Sequence, residues 1–160
     1  MTDLHAGERY ADLRSLIDSW AFRLLEGQSE IAAIDRGTAD DTALGEPRWY
    51  IRMRGDEKDF ITVWLTLGQR TLRYETYVMP APEANAGELY EHLLRRNERL
   101  VGVHFSIGVE DAVFLRGELT VSALTAAELD RAIGTVYATV EQCFPTLLRI
   151  GFPRALRSQA

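Results

Sequence analysis

The order of hydrophobic periodicities between Arg48 and Gly151 most constrains how this chain can fold. Three segments with alternating apolar and polar residues come first, and a segment with helical spacing follows them. Two more alternating segments and a last helical segment complete the order. Alternation with period two is typical of half-buried strands, and spacings of three and four are typical of amphipathic helices. Since the links within each group of strands are too short for a parallel crossover, the sequence predicts antiparallel pairing.

A helix and a short strand are predicted ahead of these segments. Apolar side chains recur at spacings of three and four over about residues 8–26, which gives a helix one apolar face. The segment from Glu30 to Asp35 contains a short apolar run that is compatible with a strand.

Capping signals mark where the two later helices begin. Asn85 lies three residues before Glu88, a spacing that resembles a capping box with Asn in place of Ser or Thr. Thr125 and Glu128 match the capping box more closely, because threonine is one of its two usual first residues, and they precede the last helix. Within that helix Pro145 is expected to break or kink the chain, because proline has no backbone N–H to donate.

These elements predict an α+β fold with a single antiparallel sheet of five to six strands. The helices are expected to pack mainly on one face of the sheet, in the order α-(β)βββ-α-ββ-α. A chain of 160 residues is long enough to bury its own core, so we expect one domain over residues 1–160. Residues 153–160 form a basic tail.

Charge and composition argue against several classes of function. The formal net charge of −6 opposes binding to nucleic acid, because that affinity comes largely from phosphate neutralisation. No apolar run approaches the ~20 residues that span a bilayer, so no membrane partner is expected. The N-terminus lacks the basic and apolar regions of a signal peptide. The single cysteine, Cys143, cannot form an intramolecular disulfide, and together these features favour a cytoplasmic location.

No constellation for catalysis, metal binding or cofactor binding is recognisable. The three histidines, His5, His92 and His104, have no second ligand at metal-binding spacing. Phosphate-binding loops and nucleophile motifs are also absent from the sequence. His104 and Glu118 are the one candidate acid–base pair, if they face each other across the second hairpin. The expectation is therefore a non-enzymatic protein without metal or cofactor.

A polar run at the end of the second helix, Arg95-Arg96-Asn97, is a candidate polar site. The amide of Asn97 is expected to bond to the turn before Val101, which is a structural role. Glu91 is expected to pair with Arg95 one helical turn away. In the alternative interpretation the arginines clamp an anion or carboxylate, for which the forked guanidinium is suited.

The sheet face opposite the aliphatic one is the candidate interaction surface. The residues that point to this face include nearly one aromatic side chain per strand, whereas a face in contact with water should carry few. We expect this face to be covered by the first helix or by a second copy of the chain, or else to bind a client protein. The predicted residues of this partner-binding or self-interface surface are Tyr50, Phe60, Trp64, Tyr77 and Phe114.

About residues 48–152 resemble the actinobacterial branch of the YbjN family. The resemblance rests chiefly on the run Leu93-Leu94-Arg95-Arg96-Asn97 and on the order of the elements. Other matching positions are Glu88, Tyr90, Phe105, Leu115, Gly117, Leu119, Leu124, Thr125, Asp130, Gly134, Phe144, Leu147, Leu148, Gly151 and Phe152.

The resemblance implies a fold similar to type III secretion chaperones and a non-enzymatic domain described as a sensory transduction regulator. Chaperones of this fold are dimers that hold extended segments of client proteins. The resemblance therefore implies a homodimer and a protein partner, which the sequence does not identify. The alternative is a small-molecule sensor with an apolar pocket between sheet and helices, lined by residues such as Trp20, Tyr74 and Phe105. Members of this branch often continue past the last Gly-Phe with an acidic or Trp-containing tail, whereas residues 153–160 of this chain are basic and contain no Trp.

Overall fold

A computed structural model describes residues 2–38, 40 and 42–157, so the last three residues of the predicted basic tail lie outside the described residues. The helices are α1 (Thr2–Gly27), α2 (Ala86–Asn97), α3 (Ala126–Gly151) and the short α4 (Pro153–Arg157). The strands are β1 (Ile31–Arg36), β2 (Arg48–Arg54), β3 (Phe60–Leu67), β4 (Thr71–Met79), β5 (His104–Ile107) and β6 (Val113–Thr120).

The six strands form one antiparallel sheet in the order β1-β2-β3-β4-β6-β5. This arrangement confirms the predicted fold class, with β1 as the sixth strand. The first four strands are neighbours in sequence and in space: a loop over residues 37–47 joins β1 to β2, and short turns join β2 to β3 and β3 to β4. The last two strands form a hairpin that adds to β4 through β6, so β1 and β5 are the two edges.

The core lies between one face of the sheet and the helices. Alternate residues of β2, such as Trp49, Ile51 and Met53, are almost completely buried, whereas the residues between them are half-buried or exposed. The buried side chains of α3, among them Leu129, Val136, Val140 and Leu147, join the same core. The apolar face of the sheet and the apolar faces of the helices are therefore buried against each other, and this shared core gives a fold of two layers.

Helix α1 packs on this same face. Trp49 points into the core from β2, and its Nε1 donates to Asp18 Oδ1 of α1 at 2.8 Å. Trp20 of α1 donates through Nε1 to Asp130 Oδ1 of α3, also at 2.8 Å. Ile17 is fully buried between them in the core cluster. The expectation that the first helix covers the aromatic face is therefore wrong.

Two of the predicted helix signals behave differently in the structure. Helix α3 continues through Pro145 to Gly151. Burying Cys143 and Leu147 on either side stabilises the helix by several kcal/mol, which outweighs the ~3 kcal/mol cost of an interior proline. Asn85 has left-handed backbone angles and no side-chain cap, because its Nδ2 instead donates to the Ile150 carbonyl at 2.9 Å.

The cap of α3 is confirmed. Thr125 Oγ1 accepts a hydrogen bond from the Glu128 backbone N–H at 3.1 Å, which satisfies one of the free donors of the first turn.

Candidate functional site

The sheet face that points away from the helices, called here the open sheet face, carries all five predicted aromatic residues. The strand register places Tyr50 opposite Trp64 and places Tyr77 opposite Phe114, while Phe60 lies at the end of β3 opposite Arg54. No α-helix of the described chain covers this face, because the helices share the core on the other side.

Three of the aromatic residues form a cluster in the middle of the open sheet face. The ring of Phe114 lies 5.7 Å from that of Tyr77 in an edge-to-face arrangement and 6.1 Å from that of Trp64. Phe114 is only 3% exposed, although no helix lies above it. Trp64 and Tyr77 pack against its ring, and Gly108 of the β5–β6 turn lies so close that a Cβ there would collide with it. Tyr77 and Phe60 keep 38% and 39% of their surface exposed, which leaves aromatic area available for contact.

Arginines stack on these rings. The guanidinium carbon of Arg52 lies 3.9 Å from the centre of the Phe60 ring, and that of Arg116 lies 4.8 Å from the Phe114 ring. Arg48 stacks on Trp64 at 5.9 Å, and its Nε donates to Thr66 Oγ1 at 3.0 Å. Cation–π contacts and hydrogen bonds of this kind hold long side chains in place, so a partner would meet a largely ordered surface.

One carboxylate lies in the middle of this surface. Glu75 is 8% exposed, and the register places it between Trp64 and Arg116. The Arg116 Nε lies 3.4 Å from Glu75 Oε2 without the geometry of a hydrogen bond. The pair neutralises both charges at the centre of the face, and the remaining charge lies around it.

The open sheet face is positively charged, in contrast to the acidic chain as a whole. Five arginines and three carboxylates of the strands point to it, and these strand residues give a net charge of +2 against −6 for the whole chain. The residues are Arg48, Arg52, Arg54, Arg73 and Arg116, with Asp35, Glu75 and Glu118. The carboxylate of Glu110, in the turn before β6, acts on Tyr77 of this face and reduces the excess of positive charge. The sequence prediction did not use the arginines of β2, although they alternate with the buried residues of that strand and therefore belong to this face.

The predicted polar signature lies beside β5. Asn97 Oδ1 accepts from the Phe105 N–H at 2.7 Å, and its Nδ2 donates to the Phe105 carbonyl at 3.1 Å. The amide therefore bonds to the strand and not to the turn before Val101. Since the same N–H and carbonyl cannot also bond to β6, they lie on the outer side of β5, and Asn97 occupies part of this sheet edge.

The two arginines of the signature have separate surroundings. Arg95 pairs with Glu91 on an exposed helix surface, at 2.9 Å between Nη2 and Oε1. Arg96 is half-buried and interacts with the thiol of Cys143. Burial raises the pKa of this thiol, and the guanidinium of Arg96 partly offsets the increase.

Two other expectations are wrong. In the strand register His104 lies opposite Arg116. Glu118 lies beyond the end of the four-residue β5, and its register partner is Arg73 on β4. His104 and Glu118 therefore do not face each other as an acid–base pair. The expected pocket residues Trp20, Tyr74 and Phe105 are no more than 5% exposed and fill the core.

Neither a metal cluster nor a membrane span is found in the described part of the chain. Within residues 2–38, 40 and 42–157, no three His, Cys, Asp or Glu side chains are grouped so that they could hold a metal ion. No helix among these residues is long and apolar enough to cross a bilayer.

A protein-family model matches most of this chain. It is that of the YbjN family, described as "Putative bacterial sensory transduction regulator", and it matches residues 30–149. The matched segment begins just before β1 and ends in the last turn of α3, so it leaves out α1.

Similar individual proteins are known from mycobacteria. An uncharacterised protein of Mycobacterium tuberculosis is 28% identical over 137 residues, which cover 86% of this chain and 75% of that protein. An uncharacterised protein of Mycobacterium leprae is 28% identical over 112 residues, 70% of this chain and 61% of that protein. Among solved structures, the chain is similar to the Yersinia pestis type III secretion chaperone SycH, solved in complex with a stable fragment of YscM2. The TM-score is 0.49 and the identity 19%, over 80% of this chain and 96% of that one.

Proposed function

Since the chain belongs to the YbjN family, we propose that it is a non-enzymatic regulatory domain that binds another protein in a chaperone-like manner through its open sheet face. The observation that carries this proposal is the aromatic cluster of Trp64, Tyr77 and Phe114, set among stacked arginines on a face that no described helix covers. Tryptophan, tyrosine and arginine are the residues most enriched among those that dominate binding energy in protein interfaces.

The charge of the open sheet face favours an acidic partner. A second copy packed symmetrically on this face would bring five arginines against five, and the strand residues alone give each side a net charge of +2. Like charges placed together in an interface cost several kcal/mol, so the symmetric arrangement is disfavoured. We therefore propose a protein segment that carries acidic side chains for the arginines and apolar side chains for the rings. The homodimer that the sequence predicts would then form through another surface.

The experiment places a photo-reactive benzoylphenylalanine in the open sheet face and cross-links in the native host. Tyr77 and Phe60 are suitable positions, because both are aromatic and more than a third exposed. The matched control is Phe22, which is 64% exposed on the outer side of α1. We expect an adduct with a different, acidic protein from Tyr77 and Phe60 and none from Phe22.

Two variants make this result specific. Charge reversal by Arg52→Glu together with Arg73→Glu should abolish the adduct, whereas Arg23→Glu on α1 should leave it unchanged. Equal adducts from the control position, or an adduct that survives the charge reversal, would contradict an acidic partner on this face.

The solution mass separates a partner from a second copy. Light scattering on the wild type and on Trp64→Ser should give the same mass for both, whether monomer or dimer, because self-association does not use the open sheet face. A wild-type dimer that becomes a monomer in Trp64→Ser would place the second copy there and would overturn the proposed acidic partner.

A further inference from the structure

A cleft of about 580 Å³ opens on the helix side of the sheet, between the end of α1, the start of β1 and the middle of α3. Its floor is formed by Leu24, Ile31, Met53 and Ile133, which are at most 7% exposed. Its volume lies within the range of small-molecule sites. This cleft is separate from the open sheet face and does not depend on the function proposed for that face.

A glycine in the wall of this cleft has no structural explanation among the described residues. Gly134 lies in the interior of α3, where glycine weakens a helix relative to alanine. A Cβ at this position would meet no described atom within 4 Å outside its own helix. By comparison, a Cβ at Gly117 would collide with the ring of Tyr74 and the Gly102 carbonyl, so the fold itself requires that glycine. At Gly134 the missing side chain instead leaves the helix backbone open to an occupant of the cleft.

The polar groups around the cleft are acceptors. Glu30 and Asp130 are the acidic residues among those that line it, and Asp130 Oδ1 already accepts from Trp20 Nε1. The C-terminal end of α1 also lines it through Gly27 and Gln28, and no basic residue lies in the last turn of that helix to offset its negative pole. The side chain of Arg54, which belongs to the open sheet face, donates through Nη1 to the Ser29 carbonyl at 3.2 Å, so that carbonyl already has a partner.

The electrostatic potential at the far end of the cleft is also negative. Tyr137 lines the cleft, and its hydroxyl donates to the Arg54 carbonyl at 2.9 Å. Its pKa is raised by burial and then by the carboxylates of Glu141, Asp56 and Glu30. An apolar floor beneath a rim of acceptors suits a molecule with an apolar body and a positively charged amine.

We propose that the cleft between α1, β1 and α3 binds a small organic cation, with its apolar body on the floor beside Gly134 and its ammonium group towards Glu30 and Asp130. The ligand lies between the first helix and the last long helix, and it therefore bridges the segment outside the family model and the segment inside it.

The test titrates phenethylammonium into the protein and follows the backbone amides by NMR. Phenylacetate and phenethyl alcohol serve as anionic and neutral probes of the same size. We expect saturable shifts at millimolar concentration at the end of α1, at the start of β1 and around Gly134, and an affinity for phenylacetate that is lower by about tenfold or more. Absence of such shifts, or equal affinity for phenylacetate, would overturn the proposal.

Three variants locate the site. Gly134→Leu fills the cleft from α3 and should abolish the shifts, whereas Gly134→Ala adds one methyl group to open space and should retain most of the affinity. Both should raise the melting temperature, because they improve helix propensity. Glu30→Gln removes one rim carboxylate from an exposed position and should weaken binding by about threefold to tenfold, which keeps the test decisive if Gly134→Leu fails to fold. Unchanged affinity in Glu30→Gln, or undiminished binding to a folded Gly134→Leu, would show that the cation binds elsewhere.

Discussion

Among single residues, Asn97 makes the most specific contact of the predicted polar signature. Its side-chain amide pairs with both the N–H and the carbonyl of Phe105, as a neighbouring strand would. Asn97→Ala leaves both backbone groups without this partner in a half-buried place. We expect the free energy of unfolding to fall by about 1–3 kcal/mol, measured by urea denaturation with an unchanged m-value.

A neighbouring position provides the control for this prediction. Arg95 is 78% exposed and pairs only with Glu91 within the same helix, so Arg95→Ala should change the free energy of unfolding by less than about 0.5 kcal/mol. If the two variants were equally stable, the hydrogen bonds between the Asn97 side chain and Phe105 would not contribute to stability. A ligand role for Asn97 would then become the better explanation.

The contacts of single side chains could be predicted from the sequence only in part. A structural role for Asn97 follows from residue type and helix position, but its partner lies eight residues away on a strand, across a loop that local patterns do not describe. The proposed pair of His104 and Glu118 required a register that only the short β5 and its turn determine. In that turn Glu110 and Asp111 both have positive φ, which no hydrophobic periodicity reveals.

At the scale of elements, Glu141 ties α3 to the turn between β2 and β3. Its carboxylate accepts from the backbone N–H groups of Asp56 and Glu57 at 2.8 Å and of Lys58 at 3.2 Å. Glu141→Gln removes the charge and places an NH₂ group where an acceptor is needed. We expect a loss of about 1.5–3 kcal/mol in the free energy of unfolding and faster hydrogen exchange of the amides at 56–58.

The adjacent residue on α3 gives a matched comparison. Gln142 is exposed, and Gln142→Ala should leave both the stability and the exchange of the turn amides unchanged. If Glu141→Gln left the exchange of those amides unaffected, the turn would be held by its own backbone geometry and not by the helix.

The elements themselves could be predicted because their signals are local. Period-two alternation located β2, β3 and β4, and the Thr125 box located the start of α3. The contacts between elements could not be predicted, since Glu141 and Asp56 are 85 residues apart in sequence. The same reasoning explains Pro145, because the burial that keeps α3 continuous depends on side chains the helix meets only in the folded state.

At the scale of the whole molecule, the question is whether α1 is part of one cooperative unit. The family model begins after α1, yet Ile17 of this helix is fully buried in the core that α3 and the sheet share. Deleting buried methyl and methylene groups from isoleucine costs about 2–5 kcal/mol when the surrounding core depends on them. If the unit is cooperative, Ile17→Ala must therefore weaken regions far from α1 in sequence.

The labelling rate of the Cys143 thiol on α3 measures whether the core opens more often when α1 is weakened. This residue is 3% exposed and burial raises the pKa of its thiol, so it can be labelled only when the core opens. In Ile17→Ala the labelling rate of Cys143 should rise by about thirtyfold or more, which corresponds to at least ~2 kcal/mol, while Phe22→Ala on the exposed side of α1 should leave it unchanged. If α1 were only appended to the family domain, Ile17→Ala would loosen α1 alone and Cys143 would be labelled at the wild-type rate. Faster labelling in Ile17→Ala would instead show that α1 unfolds together with the rest of the core, and the proposed cation cleft would then lie within one cooperative structure.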